Sequence, residues 1–115
     1  MASPKLVKAV ESLSALAHEG RLSVFRLLVR AGREGLAAGE IARKLDVLPN
    51  TLSASLTVLS NAGLLRSHRD GRSIIYSADY ERMTGLLGFL MEDCCNGDAS
   101  ICGPLAEIAK RSTCC

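Results

Sequence analysis

The sequence predicts a mainly α domain that carries one small β-hairpin, and three observations lead there. Aliphatic residues recur at helical spacing through most of the chain, the spacing changes once, between Gly63 and Asp79, and aromatic residues make up only 3% of a chain with no Trp. That balance favours helices packed through aliphatic stripes. At 115 residues the chain is long enough for one modest core and short enough to share that core with a second copy.

The elements follow in order. From Lys5 to Ala17 the apolar positions Leu6, Val10, Leu13 and Leu16 mark an amphipathic first helix with Lys5, Lys8 and Glu11 on other faces. His18-Glu19-Gly20 interrupts it, and Leu22, Phe25, Leu28 and Val29 then define a second helix that Ala31-Gly32 stops. Arg33-Glu34-Gly35 is a polar link. A short helix from about Ala38 to Leu45 turns Ile41, Ala42 and Leu45 inward, and Asp46-Val47-Leu48 is a turn. Pro49 suits the first turn of the next helix, whose inner stripe is Leu52, Leu56 and Leu59 and whose end is Asn61-Ala62-Gly63. The runs 64–68 and 73–77 are β-prone and flank Arg69-Asp70-Gly71-Arg72; Asp-Gly at such a place signals a hairpin, because the turn needs a positive φ. Helical spacing returns through Met83, Leu86, Leu87, Leu90 and Met91, with Asp79 as N-cap and Asn96-Gly97 as stop. This last helix is apolar on more than one face, as a helix packed on both its own domain and a second copy must be.

Two helices joined by a tight turn, directly before a hairpin, make a winged helix-turn-helix, which lets one helix enter the major groove while the hairpin lies along the backbone. The net charge of +2 is too small to argue for nucleic acid, so placement carries the case. The outward face of the reading helix is expected to offer Asn50, Thr51, Ser53, Ser55 and Thr57 to base edges or phosphates, and no residue from Pro49 to Ser60 is charged. Phosphate contacts fall to Arg43 and Lys44 before it and to Arg66, Arg69 and Arg72 on the wing. Taken singly, each of these residues reads more readily as a solvated surface position; together they point to double-stranded DNA.

The run Gly39-Glu40-Ile41-Ala42-Arg43-Lys44-Leu45, the run from Thr51 to Leu59, the segment Ala62-Gly63-Leu64-Leu65 and the Asp70-Gly71-Arg72 wing resemble the arsenic-responsive repressor (ArsR/SmtB) family, as does Ala17-His18-Glu19-Gly20-Arg21-Leu22. The resemblance covers about Ser14 to Met91. It implies a homodimeric repressor, joined through its first and last helices, that leaves its operator when a toxic metal or metalloid binds. The chain departs from the family at Ser55, where many members carry His.

All five cysteines lie in the last 22 residues, as Cys94-Cys95, Cys102 and Cys114-Cys115. A thiol cluster appended to a thiol-free body reads as a receptor for soft metals or metalloids. The family's cysteine pair in the helix before the reading helix is missing from Ile41 to Asp46, and its histidine-containing zinc site is missing from Asp79 to Asp93. His18 reads as a helix-end residue and His68 as a strand or phosphate-contact residue, since neither has a neighbouring ligand. The tail resembles the variant whose arsenic site lies just past the last helix, with Cys94, Cys95 and Cys102 as ligands. Asn96-Gly97 can reverse the chain to return Cys102 to the pair. Three thiols replace the three hydroxyls of arsenite, whereas tetrahedral zinc wants a fourth ligand. Cys114 and Cys115 supply that fourth ligand, a separate dithiol, or a dispensable terminus. The inducer is therefore expected to be As(III), with Sb(III) or methylated As(III) open, and no organic cofactor is implied.

The expected organisation is a winged-helix DNA-binding and dimerisation domain over 1–93 and a cysteine-rich sensor tail over 94–115 packed on it. The start lacks an apolar leader, and no stretch reaches the roughly 18 apolar residues of a membrane span, so the protein is expected to be cytoplasmic with reduced thiols and no membrane partner. An enzyme is not expected: an arsenate reductase of the phosphatase type needs Cys-x5-Arg, yet Ser100, Ile101 and Ile108 stand six residues after Cys94, Cys95 and Cys102. A thiol redox switch, an iron–sulfur holder or another soft-metal sensor on the same body remains the alternative, as does a metal-sequestering protein with no operator.

Overall fold

The computed structural model describes residues 3–91, so the 94–115 unit and all five cysteines lie outside the described residues. Five helices and three strands run α1 (Pro4–Leu16), α2 (Glu19–Ala31), β1 (Leu36–Ala37), α3 (Ala38–Leu45), α4 (Pro49–Asn61), β2 (Leu65–Asp70), β3 (Ser73–Ala78) and α5 (Tyr80–Met91). The expected helices and hairpin are all present. β1 was not foreseen: it pairs antiparallel with β3, placing Leu36 opposite Tyr76 and Ala37 opposite Ile75, so the sheet order is β1-β3-β2. A two-residue strand carries no periodicity to read.

Local chemistry sets the boundaries. The Ser3 hydroxyl accepts from the Leu6 N–H at 3.2 Å, and Pro4 starts α1. His18 caps α2, its Nδ1 accepting from the Gly20 and Arg21 N–H groups at 3.1 and 3.3 Å, which makes it a helix-end residue as its isolation in sequence implied. Arg21 reaches back from α2 to close α1, donating to the Ala15 and Ser14 carbonyls at 2.6 and 3.3 Å. α4 ends in a Schellman arrangement: the Leu64 N–H donates to the Leu59 carbonyl and the Gly63 N–H to the Ser60 carbonyl, both at 3.0 Å, with Gly63 at φ +80°.

The core gathers Val24, Phe25 and Leu28 of α2, Ile41 of α3, Leu52, Leu56 and Leu59 of α4, and Leu64, Leu65 and Ala78 around the sheet. Leu28, Ile41, Leu59 and Leu64 are fully buried. α1 contributes differently from expectation. Its inward residues are Ala9, Ser12 and Ala15, while the large apolar residues Leu6, Val10 and Leu13 are 40, 56 and 42% exposed. On α5 only Leu86 is buried, and Leu87 and Leu90 stand out in solvent. The small face of α1 turns toward its neighbours, and among the described residues the aliphatic stripe of Leu6, Val10 and Leu13 is left exposed.

Gly35 is held at φ +71° where β1 meets β3, and a Cβ added there would run into the Tyr76 carbonyl oxygen. Gly35→Ala is expected to lower stability by about 2–4 kcal/mol in urea denaturation. Gly71→Ala is the comparison: Gly71 also has positive φ, +64°, but a Cβ there meets nothing within 4 Å, so the cost should be only about 1 kcal/mol. Equal costs would remove the close approach as the cause.

Candidate nucleic-acid interface

α3 and α4 are joined by Asp46, which sits at φ 52° and closes α3 as Val47 N–H donates to the Ala42 carbonyl at 3.1 Å. Aspartate tolerates this left-handed conformation better than most non-glycine residues. The turn presents the start of α4. No side chain caps that start: Leu48 precedes Pro49, and the first turn holds no acid. Helix N-termini attract phosphate through their N–H groups and dipole, so this uncapped turn is suited to an anion. A Leu at the cap position before Pro was the available signal.

Asn50, Thr51, Ser53 and Thr57 are exposed on α4, in the positions expected for groove contacts. The Thr57 hydroxyl donates to the Ser53 carbonyl at 2.9 Å, so toward DNA it offers an acceptor. Ser55 corrects the expectation of an outward residue: it is 8% exposed. It follows Leu52 by three residues and precedes Leu56 and Leu59 by one and four, which places it on the buried stripe. A base contact from Ser55 is excluded in this packing.

Arg43 and Lys44 are exposed in the last turn of α3, where they also complement the helix dipole. The wing is β2 and β3 in register from Leu65 opposite Ala78 to Asp70 opposite Ser73. Arg69 and Arg72 are exposed near its tip, and His68 is an exposed strand residue. Arg66 sits at the base and is already engaged: its Nε donates to Asp79 Oδ2 at 3.3 Å, and a terminal nitrogen lies 3.8 Å from Glu81. The uncapped helix start, the polar face of α4 and the exposed cations Arg43, Lys44, Arg69 and Arg72 are groups of the kinds that contact groove edges and phosphates.

Asp79 caps α5, as the sequence implied, through Oδ1, which accepts from the Arg82 N–H at 3.0 Å. Partial burial pushes its carboxyl up, but the Arg82 N–H, the hydrogen bond and charge of Arg66, and the Glu81 N–H outweigh this and hold it below the ordinary 3.8. A depressed folded-state pKa adds stability that is fully present above 3.8 and is lost as pH falls through the lower folded value. The stability difference between the parent and Asp79→Asn, measured by urea denaturation, should therefore be constant at neutral pH and shrink below about pH 4; a difference independent of pH would sink the ionic account.

Among the described residues no group of three or more His, Cys, Asp and Glu side chains gathers to hold a metal ion. No described helix is long and apolar enough to cross a membrane.

Residues 16–68 match the family model described as a helix-turn-helix domain. Over 69 residues the chain is 42% identical to a Halobacterium salinarum protein assigned as an arsenical resistance operon repressor, ArsR; the match spans 60% of this chain and only 53% of that protein, about half its length. The reduced form of HlyU from Vibrio cholerae superposes with a TM-score of 0.59 at 30% identity, over 73% of this chain and 88% of that one. Mb0332 of Mycobacterium bovis, described as a homodimeric winged helix-turn-helix domain of a candidate ArsR-family regulator, superposes with a TM-score of 0.61 at 25% identity, over 80% and 89% of the two chains. The chain belongs to the ArsR/SmtB family of winged-helix transcriptional regulators. As a member it is a DNA-binding transcriptional regulator.

Proposed function

We propose that the protein is an arsenite-responsive repressor that binds operator DNA as a homodimer through α1 and α5 and leaves it when As(III) is ligated by Cys94, Cys95 and Cys102. The observation that carries this reading is the placement of the thiols. Cys94 follows Met91, the last residue of α5, by three positions, and no cysteine occurs elsewhere in the body. The kinship with an arsenical resistance repressor supports the choice of metalloid. The dimer is supported by the exposed aliphatic residues Leu6, Val10 and Leu13 of α1 and Leu87 and Leu90 of α5, and by the homodimeric state of Mb0332.

The chemistry balances without a redox step: arsenous acid and three thiols give a trithiolate and three waters. Drawing Cys102 to Cys94-Cys95 would reshape the end of α5 and so alter the separation of the two reading helices. Half-sites about one helical turn apart, roughly 34 Å, tolerate little change, and a coupling of about 1–3 kcal/mol already gives 5- to 150-fold release. Sb(III) and methylated As(III) satisfy the same donors to different extents. The reading assigns the chain no catalytic reaction.

The test is fluorescence anisotropy of reduced protein on DNA from its own upstream region, titrated separately with arsenite, zinc and peroxide. Release by equimolar arsenite but not by zinc is the expected result. A second reading, a thiol redox switch, draws on the likeness to a relative characterised in its reduced form; release by peroxide that thiol reductant reverses, with no response to arsenite, would favour it.

A further inference from the structure

Arg66 has the residue type and wing position of a phosphate clamp, but its partners give it another task. Its side chain is 62% exposed, yet Nε is spent on Asp79 and a terminal nitrogen faces Glu81, both in the first turn region of α5. Asp79 is 21% exposed and is fixed on three sides: its N–H donates to the Leu64 carbonyl at 2.8 Å, Oδ1 caps the Arg82 N–H, and Oδ2 takes Arg66. Arg82 continues the chain of contacts, its Nε donating at 3.3 Å to the hydroxyl of Ser12, which is fully buried on α1. The same guanidinium lies over the end of the reading helix, so close that a Cβ on Gly63 would come within 3.3 Å of it. One polar chain thus joins α1, α5, the end of α4 and the base of the wing.

We infer that Arg66 is a positioning residue rather than a phosphate contact, and that the Arg66–Asp79–Arg82–Ser12 chain sets the inclination of the wing from the packing of α1 on α5. A phosphate would have to compete with two carboxylates for Arg66. Arg69 and Arg72, nearer the tip, meet no such acid among the described ion pairs. Any rearrangement of α5 against α1 would reach the wing through Arg82 and Asp79, without requiring a change in α3. The inference needs only that the protein binds DNA, and stands apart from the identity of the inducer.

The distinguishing readout is the salt dependence of operator binding by the full chain, since each phosphate contact adds about 0.9 to the slope of log K against log salt. Arg66→Ala and Asp79→Asn should each weaken binding by up to about fivefold, the upper end of what a largely exposed ion pair contributes. The double variant should be no worse than either single one, and the slope should stay at the parent value throughout. Asn retains the cap on α5, so folding is preserved in that variant. Ser12→Ala should weaken binding in the same direction with the same slope. In amide NMR spectra Asp79→Asn should shift the wing resonances of Arg69 and Gly71 while leaving those of α3 in place. A slope reduced by about 0.9 in Arg66→Ala, tighter binding by Asp79→Asn, additive losses, or a neutral Ser12→Ala would each overturn the inference.

Discussion

Cys102→Ser should leave operator affinity within about twofold of the parent, since the candidate interface is built from residues within 3–91, while abolishing release by arsenite. With Ser at 102, only Cys94 and Cys95 remain of the proposed trio. Two thiols displace two of the three hydroxyls of arsenous acid, and the third stays on arsenic. The bond that would tie residue 102 to the end of α5 is then missing, and with it the coupling of about 1–3 kcal/mol on which release depends. The measurement is anisotropy of preformed complex during arsenite titration, beside a Cys114→Ser/Cys115→Ser control that should release normally. Release retained by Cys102→Ser would sink the three-thiol site; release lost only in the control would move the third ligand to the terminal pair.

Val10→Asp should convert the protein from dimer to monomer and weaken operator binding by about 100-fold or more. Val10 is 56% exposed, so a carboxylate there stays hydrated in the single chain and the helical fold should persist. In a dimer built on the α1 stripe of Leu6, Val10 and Leu13, the same carboxylate would be buried twice, once from each copy, without a partner. Loss of the second reading helix removes the effective-concentration advantage of two linked sites, which is worth about 10²–10⁴ in affinity. Sedimentation velocity gives the state of assembly and circular dichroism gives the fold. A folded Val10→Asp protein that remains dimeric would place the interface elsewhere than α1.

Much of this molecule is legible from particular residues. The stripe Leu52, Leu56 and Leu59 announces α4, and Asp70-Gly71 announces the wing, where Gly71 takes φ +64°. Asp79 is readable as the cap of α5 because a carboxylate accepts from helix N–H groups wherever it precedes a helical run. The misreadings have equally specific causes. Ser55 belongs by polarity to the outer face and by helical phase to the inner one, and phase prevails. β1 depends on a partner strand about forty residues later in the chain, so nothing local announces it. The contact between Arg66 and Asp79, thirteen residues apart and brought together by the β2–β3 hairpin, likewise has no local signal.

The amino-acid sequence by itself determined the order of helices and hairpin, because hydrophobic period, caps and turn residues act between neighbours a few positions apart. It also determined where the thiols lie, because all five cysteines fall in the last 22 residues. The tertiary structure alone decided which face of α1 turns inward, which polar residue of α4 is buried, and which wing arginine is tied to α5. Those outcomes depend on contacts between elements: small residues permit close approach, large ones are left for a partner, and a cation seeks the nearest carboxylate in space rather than in sequence.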